Sequence, residues 1–179
     1  MTSPAEPVSK GERVMQRLVQ SAGAASEPAA DMADLAEVVR SLLAGQTYRD
    51  TRVRLGRGLF DVVITSAGAQ ARSAVALMDK TQDGCGPVIE DPDGGWLYWL
   101  VPPGSADRWA PHLHAACLGA PHTITLPSLN RTAPPGPYWH RPPASDRLAP
   151  PSPLREALAQ LEPEPTPHAA LEDRLGITH

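Results

Sequence analysis

Cysteine is scarce, with two in 179 residues, and this excludes a disulfide-stapled fold. Cys85 and Cys117 are expected to be small buried or half-buried thiols in a reducing compartment. No run of about 18 apolar residues occurs, so a membrane-crossing helix and a membrane partner are not expected. The N-terminus also lacks the basic-then-apolar pattern of a secretory signal, and the expected location is the cytoplasm. A basic excess is missing as well. The formal net charge is −4 at pH 7, which argues against a simple nucleic-acid binder. The signatures GxGxxG, GxxxxGK(S/T) and GxSxG are absent, so dinucleotide, P-loop and nucleophile-elbow readings have no footing. Gly56-Arg57-Gly58 alone is too short to stand for any of them.

What is present suits one domain with tails. A hydrophobic fraction of 41% supports a single modest core. Proline is abundant, at 21 residues, and gathers where a core cannot form. Residues 1–8 are expected to be disordered, and the Pro/Glu-rich stretch 162–179 is expected to be a flexible tail. Between Arg49 and Pro150 basic and acidic side chains nearly balance, so the acidity lies in the terminal parts.

Residues 9–45 carry helical spacing. Val14, Met15, Leu18 and Val19 make one apolar stripe behind a Ser9 cap, and Leu35, Val38, Val39, Leu42 and Leu43 make another between Asp31 and Gly45. These predict a helical arm that packs on the main domain, docks a partner or joins copies of the chain into an oligomer. From Thr51 the period changes to two, and residues 51–161 predict an α/β (α+β) domain: a mixed sheet with flanking helices. Leu59 to Thr65 and Trp96 to Val101 are its expected central strands, Ala67 to Lys80 a helix between them, and Gly86 to Glu90 the partner of the second strand across an Asp91-Pro92-Asp93-Gly94-Gly95 turn. Ser105 is expected to cap a short helix. Thr123 to Leu126, held between prolines, reads as a brief edge strand. Asn130 to Pro143 carries too many prolines for a ladder and predicts an extended strap over the sheet. Leu154 to Leu161 predicts a last helix, with Pro153 at its first position.

Several groups of residues could carry function. Arg49, Arg52, Arg54 and Arg57 are opposed within their stretch only by Asp50, and they read either as a solvated edge strand that discourages pairing or as a phosphate-facing stripe. Tyr138, Trp139, His140 and Arg141 form a proline-framed segment with the composition of a partner-binding hot spot, or else a strap whose rings pack on the sheet. Trp96, Tyr98, Trp99 and Trp109 could stack on bases or serve as core. His112, His114, Cys117 and His122 have zinc-ligand chemistry but not the short paired spacing of common zinc modules. Asp91 and Asp93 fit a tight turn for backbone reasons and could also hold a cation.

Gly86 to Pro143, with GPVIEDPDGGWLYWLVPPG, CLGAPHTITLPSLN and GPYWHRPP, resembles the second half of a bifunctional DNA primase/polymerase N-terminal domain, the archaeo-eukaryotic-primase type found on replication proteins of high-GC bacteria. The resemblance extends over roughly Thr51 to Leu161. It implies a strand ending in acidic metal ligands, matched here by Asp61-Val62-Val63-Ile64-Thr65, of which only Asp61 is acidic. It implies a nucleotide-contacting His after the paired glycines, where Leu97 stands, and an acidic residue before a glycine loop, where His114 to Ala120 offers none. The family frame without its catalytic residues implies a non-catalytic binding or regulatory module linked to DNA replication or gene regulation, with a protein partner or weak non-specific nucleic-acid binding and no cofactor. The alternatives are an active nucleotidyltransferase using Mg²⁺ or Mn²⁺, with ligands drawn from Asp61, Asp91 and Asp93, and an assembly protein that oligomerises through residues 9–45.

Overall fold

The computed structural model describes residues 41, 44–45, 48–56, 58–81, 85–143, 147–167 and 171, all within the unit Met32–His179. The expected disordered start, nearly all of the helical arm and Arg57 lie outside the described residues. Of the second expected helix, Ser41 and Ala44 are helical and Gly45 is a turn.

Alternation makes the first strand. β1 (Thr51–Arg54) buries Val53 and leaves Arg52 and Arg54 exposed. The apolar run Val62-Val63-Ile64 builds β2 (Asp61–Ser66), buried from Asp61 through Thr65. The alanine-rich α1 (Ala69–Met78) follows and buries Ala71, Ala74, Val75 and Met78 at helical spacing. β3 (Val88–Asp91) and β4 (Trp96–Val101) form the expected hairpin. Asp91 pins its turn: Oδ1 accepts the Gly94 N–H at 3.0 Å and the backbone carbonyl accepts the Gly95 N–H at 2.8 Å. α2 (Ser105–Arg108), β5 (Ala116–Leu118), β6 (Thr123–Leu126), β7 (Tyr138–Arg141) and α3 (Pro151–Leu161) complete the order.

The strands form an antiparallel five-stranded sheet, β5-β2-β4-β3-β7, and a two-stranded antiparallel sheet, β1-β6. β2 and β3 run the same way with β4 between them, so α1 joins a split strand-helix-strand unit in which no two neighbours are parallel. Both faces of the large sheet are covered. On one face Val62, Ile64, Ile89, Trp96, Leu100 and Trp139 meet Val53, Ile124 and Leu126 of the small sheet. On the other, Val63, Val88, Leu97, Trp99 and Val101 meet α1 and α3 through residues such as Ala74, Met78, Leu154 and Leu158. Small sheet, large sheet and helices thus make three layers. The expected α+β class and the central place of the second and fourth strands hold.

Four local expectations fail for identifiable reasons. The proline-rich strap does enter a ladder, because its prolines flank Tyr138–Arg141 and leave those four residues able to pair with β3 at the sheet edge. Ser105 does not cap α2; its Oγ donates to the Pro102 carbonyl at 2.5 Å, and the N-cap position is Gly104. The last helix starts at Pro151, so Pro153 lies inside its first turn, where a missing N–H costs nothing. The start of the expected tail is also packed. Pro163 and Thr166 are buried, the Thr166 N–H donates to the Leu113 carbonyl at 3.1 Å, and Leu171 joins the core beneath the small sheet.

Candidate functional site

Asp61 opens β2 on the helix-facing side of the sheet and is 2% exposed. Its Oδ2 accepts the Ala106 N–H at 2.9 Å, in the first turn of α2, satisfying a backbone donor that the short helix cannot satisfy itself. Gly119 presses onto the same carboxylate: a Cβ there would stand 3.0 Å from Asp61 Oδ1 and 3.1 Å from Ala106 Cβ. The one acidic residue at the strand matched by the resemblance is therefore the cap that Ser105 does not provide.

Asp91 and Asp93 cannot join it. Asp61 pairs with Val101 and Asp91 with Trp96 at the two ends of β4, roughly 17 Å apart at strand rise, and their side chains leave opposite faces of the sheet. Two-metal transfer needs ligands that hold ions about 4 Å apart. Asp93 is exposed in the turn.

The structure places the His and Cys candidates along the loop and strand from His112 to His122, where the His122 N–H donates to the Gly119 carbonyl at 3.1 Å and its carbonyl accepts the Leu55 N–H at 2.8 Å. The His114 N–H donates to His112 Nδ1 at 3.2 Å, and the two rings meet edge to face at 5.7 Å. Burial, followed by Arg155 and His114, lowers the pKa of His112. Cys117 lies on β5, where burial, with Asp61 and Asp107 adding to it, pushes its thiol up to about 12. Cys85, fully buried, is likewise raised by burial to about 12. Among the described residues no three His, Cys, Asp or Glu side chains group as a metal site.

The aromatics divide between core and edge. Trp96 and Trp99 are buried, and Trp99 Nε1 donates to Thr65 Oγ1 at 3.1 Å. Tyr98 and Trp109 are half-buried. Arg155 stacks over the Trp109 ring at 5.4 Å and donates to the Ala110 and Pro111 carbonyls, tying α3 to the loop after α2.

The Tyr138-Trp139-His140-Arg141 segment does not stand out as one recognition surface. Trp139 is 1% exposed, and its Nε1 donates to the Pro127 carbonyl at 3.0 Å. The ladder slips between Val88 and Ile89, opposite His140, so Arg141 pairs with Val88 and turns toward the helices, where it bridges to Asp79 just past α1. Tyr138 and His140 turn to Glu90.

Glu90 is the charged centre that sequence reasoning missed. It is 3% exposed, yet Arg72 donates to its Oε1 at 2.5 Å, His140 Nδ1 lies 3.0 Å from its Oε2 and Tyr138 hydrogen-bonds to it. Burial acts to raise its pKa, but the hydrogen bonds from Arg72 and Tyr138 and the nearby charges win and hold it below the usual carboxylate range. Burial and the same carboxylate raise Tyr138. Nothing in the sequence singled it out, because its partners come from α1 and β7, far away along the chain. Because the folded pKa is depressed, the ionised carboxylate stabilises the fold above the unfolded value of about 4.3, and that contribution vanishes as pH falls through the folded value. Glu90→Gln is expected to lower stability at neutral pH by about 2 kcal/mol and to flatten the acid limb of urea midpoint against pH. Parallel limbs for the two proteins would show that this cluster is not the acid-sensitive element.

Of the arginines, Arg49, Arg52 and Arg54 are exposed. Asp50, the single acid among them, is drawn away: Arg131 bonds its Oδ2 at 3.0 Å and the Ser128 N–H its Oδ1 at 3.2 Å. Among the described residues neither Arg52 nor Arg54 has an ion-pair partner. Comparison with known proteins finds no family model, no curated protein and no solved structure that matches this chain.

Proposed function

We propose that this chain is a non-catalytic binding module of the primase/polymerase-like class, acting in DNA replication or gene regulation and holding nucleic-acid backbone weakly through the arginines of β1. The observation that carries the reading is the pairing of Asp50 with Arg131, which offsets the one acid of the stripe and leaves Arg52 and Arg54 exposed on β1 with Arg49 exposed just before it. Such a stripe matches a row of phosphates without reading bases. The non-catalytic part is supported by Asp61, whose carboxylate is committed to the Ala106 N–H. An active enzyme using Mg²⁺ or Mn²⁺ would have to draw that group out of α2 and find partners for it.

Fluorescence anisotropy with labelled single- and double-stranded DNA tests both parts. Binding is expected to be weak, indifferent to sequence and strongly reduced by salt. Arg52→Ala with Arg54→Ala should lower the slope of log affinity against log salt by about two. No binding at low ionic strength would remove the phosphate reading. Nucleotide incorporation by the same preparation, abolished in Asp61→Asn, would replace the module with an enzyme.

A further inference from the structure

We infer that the cleft between α2, the loop after it and the start of α3 binds a phosphate monoester in its dianionic form. The inference goes beyond the reading of β1 as a phosphate-backbone stripe and uses none of the β1 arginines. The cleft measures about 390 Å³, within the range of small-ligand sites, and its walls include Ser105, Arg108, Trp109, Ala110, Ser152 and Arg155. No acidic side chain lines it. Two cations, a serine hydroxyl and an aromatic wall therefore share one small space.

Backbone contacts fix where the two guanidinium groups stand. Arg155 donates from Nη1 to the Ala110 carbonyl at 2.6 Å and from Nη2 to the Pro111 carbonyl at 3.0 Å, with Cζ 5.4 Å from the Trp109 ring centroid. Its charge thus sits on the wall that Trp109 and Ala110 make. Arg108 donates from Nε to the Gly104 carbonyl at 3.2 Å, which folds it back along α2 to the wall that begins at Ser105. These neutral carbonyls take only part of each donor fork and cancel neither charge. Among the described residues no acid pairs with Arg108 or Arg155. Asp107 and Glu156, their neighbours in the chain, are exposed and do not line the cleft. The uncancelled charge is felt nearby, since His112 is held below the usual imidazole range by burial first and by Arg155 second. A ligand that neutralises both cations carries two negative charges. A phosphate monoester carries close to two at neutral pH and offers three acceptor oxygens to the guanidinium forks, whereas a carboxylate or a phosphodiester carries one. The Ser152 hydroxyl lines the same cleft and can donate a further hydrogen bond to it.

Calorimetry on the full chain tests this with ribose 5-phosphate, its methyl diester, which carries one charge, and ribose, which carries none. Ribose 5-phosphate is expected to bind, the diester to bind at least about tenfold more weakly, the loss of one charge-assisted contact, and ribose not to bind. A short oligonucleotide with a 5′-phosphate, set against the same strand with a 5′-hydroxyl, distinguishes a free ester from a strand end as the source of the phosphate. Preference for the phosphorylated strand without binding of ribose 5-phosphate assigns the cleft to strand ends. Arg108→Ala should weaken monoester binding about tenfold or more and erase the preference over the diester, at an exposed position where the melting temperature of the free protein stays unchanged. Arg108→Lys, which keeps the charge and loses the fork, should recover part of the affinity. Absence of a monoester preference in both the sugar and the strand pairs overturns the inference, as does an unchanged preference in Arg108→Ala. Arg52→Ala with Arg54→Ala should leave monoester binding as it is. Salt-dependent DNA binding without a monoester preference refutes this site alone, and the reverse refutes the β1 reading alone.

Discussion

Trp139→Ala is expected to unfold the domain rather than strip a surface of its partner. The indole is 1% exposed and packs with Ile89, Leu100 and Leu126 where the two sheets meet. Truncating a buried Trp costs about 3–5 kcal/mol. The Pro127 carbonyl would also lose the Nε1–H donor that it holds at 3.0 Å, for about 1–3 kcal/mol more if water cannot reach it. Against a typical total of about 5–15 kcal/mol, that leaves little or no stable fold at 25 °C. Urea unfolding followed by circular dichroism should show a lost or strongly shifted transition, with Trp139→Phe between the variant and wild type. A Trp139→Ala protein with an unchanged midpoint and a lost partner would return the segment to the role of recognition strap.

Gly86→Ala should be nearly as damaging, for a backbone reason. Gly86 has φ +73°, a conformation that costs an L side chain about 1–2 kcal/mol. A Cβ at this position would also stand 2.3 Å from the Ala149 nitrogen and 2.7 Å from the Leu148 carbonyl carbon, and backbone cannot rotate aside as a side chain can. The crossing segment is itself fixed, since the Ala149 N–H donates to the Leu100 carbonyl of β4 at 2.8 Å. Strain and overpacking together imply about 3 kcal/mol or more, and a fall in melting temperature on the order of 10 °C. Gly95→Ala is the control. Its φ is +71°, but an added Cβ meets nothing within 4 Å, so strain alone applies and the loss should be about 1–2 kcal/mol. Equal losses in the two variants would show that the crossing chain yields and that the close approach at Gly86 is not a constraint.

The sequence by itself determined the elements whose periodicity is strong. The Val62-Val63-Ile64 run, the 3-and-4 spacing through Ala71, Ala74, Val75 and Met78, and the Asp-Pro-Asp-Gly-Gly turn each follow from local rules of side-chain direction and backbone freedom, and each stands where those rules place it. β5 escaped notice because three residues, Ala116 to Leu118, are too few for any period to show. β7 was hidden by the prolines on either side of it.

What only the tertiary structure decided is which partner each polar side chain meets, since that depends on contacts between residues far apart in the chain. Asp61 could be read as a metal ligand until α2, forty-five positions on, brought the Ala106 N–H to its carboxylate. Glu90 carried no signal of its own, and it became a charged centre because α1 delivers Arg72 and the slipped edge of β7 delivers Tyr138 and His140 to one buried point. Trp139 has the composition of a hot spot and the location of a core residue. Apolar pattern fixes the face of an element within a few residues, whereas the role of a charge or an indole N–H is fixed by the group opposite it, and a linear sequence does not place that group.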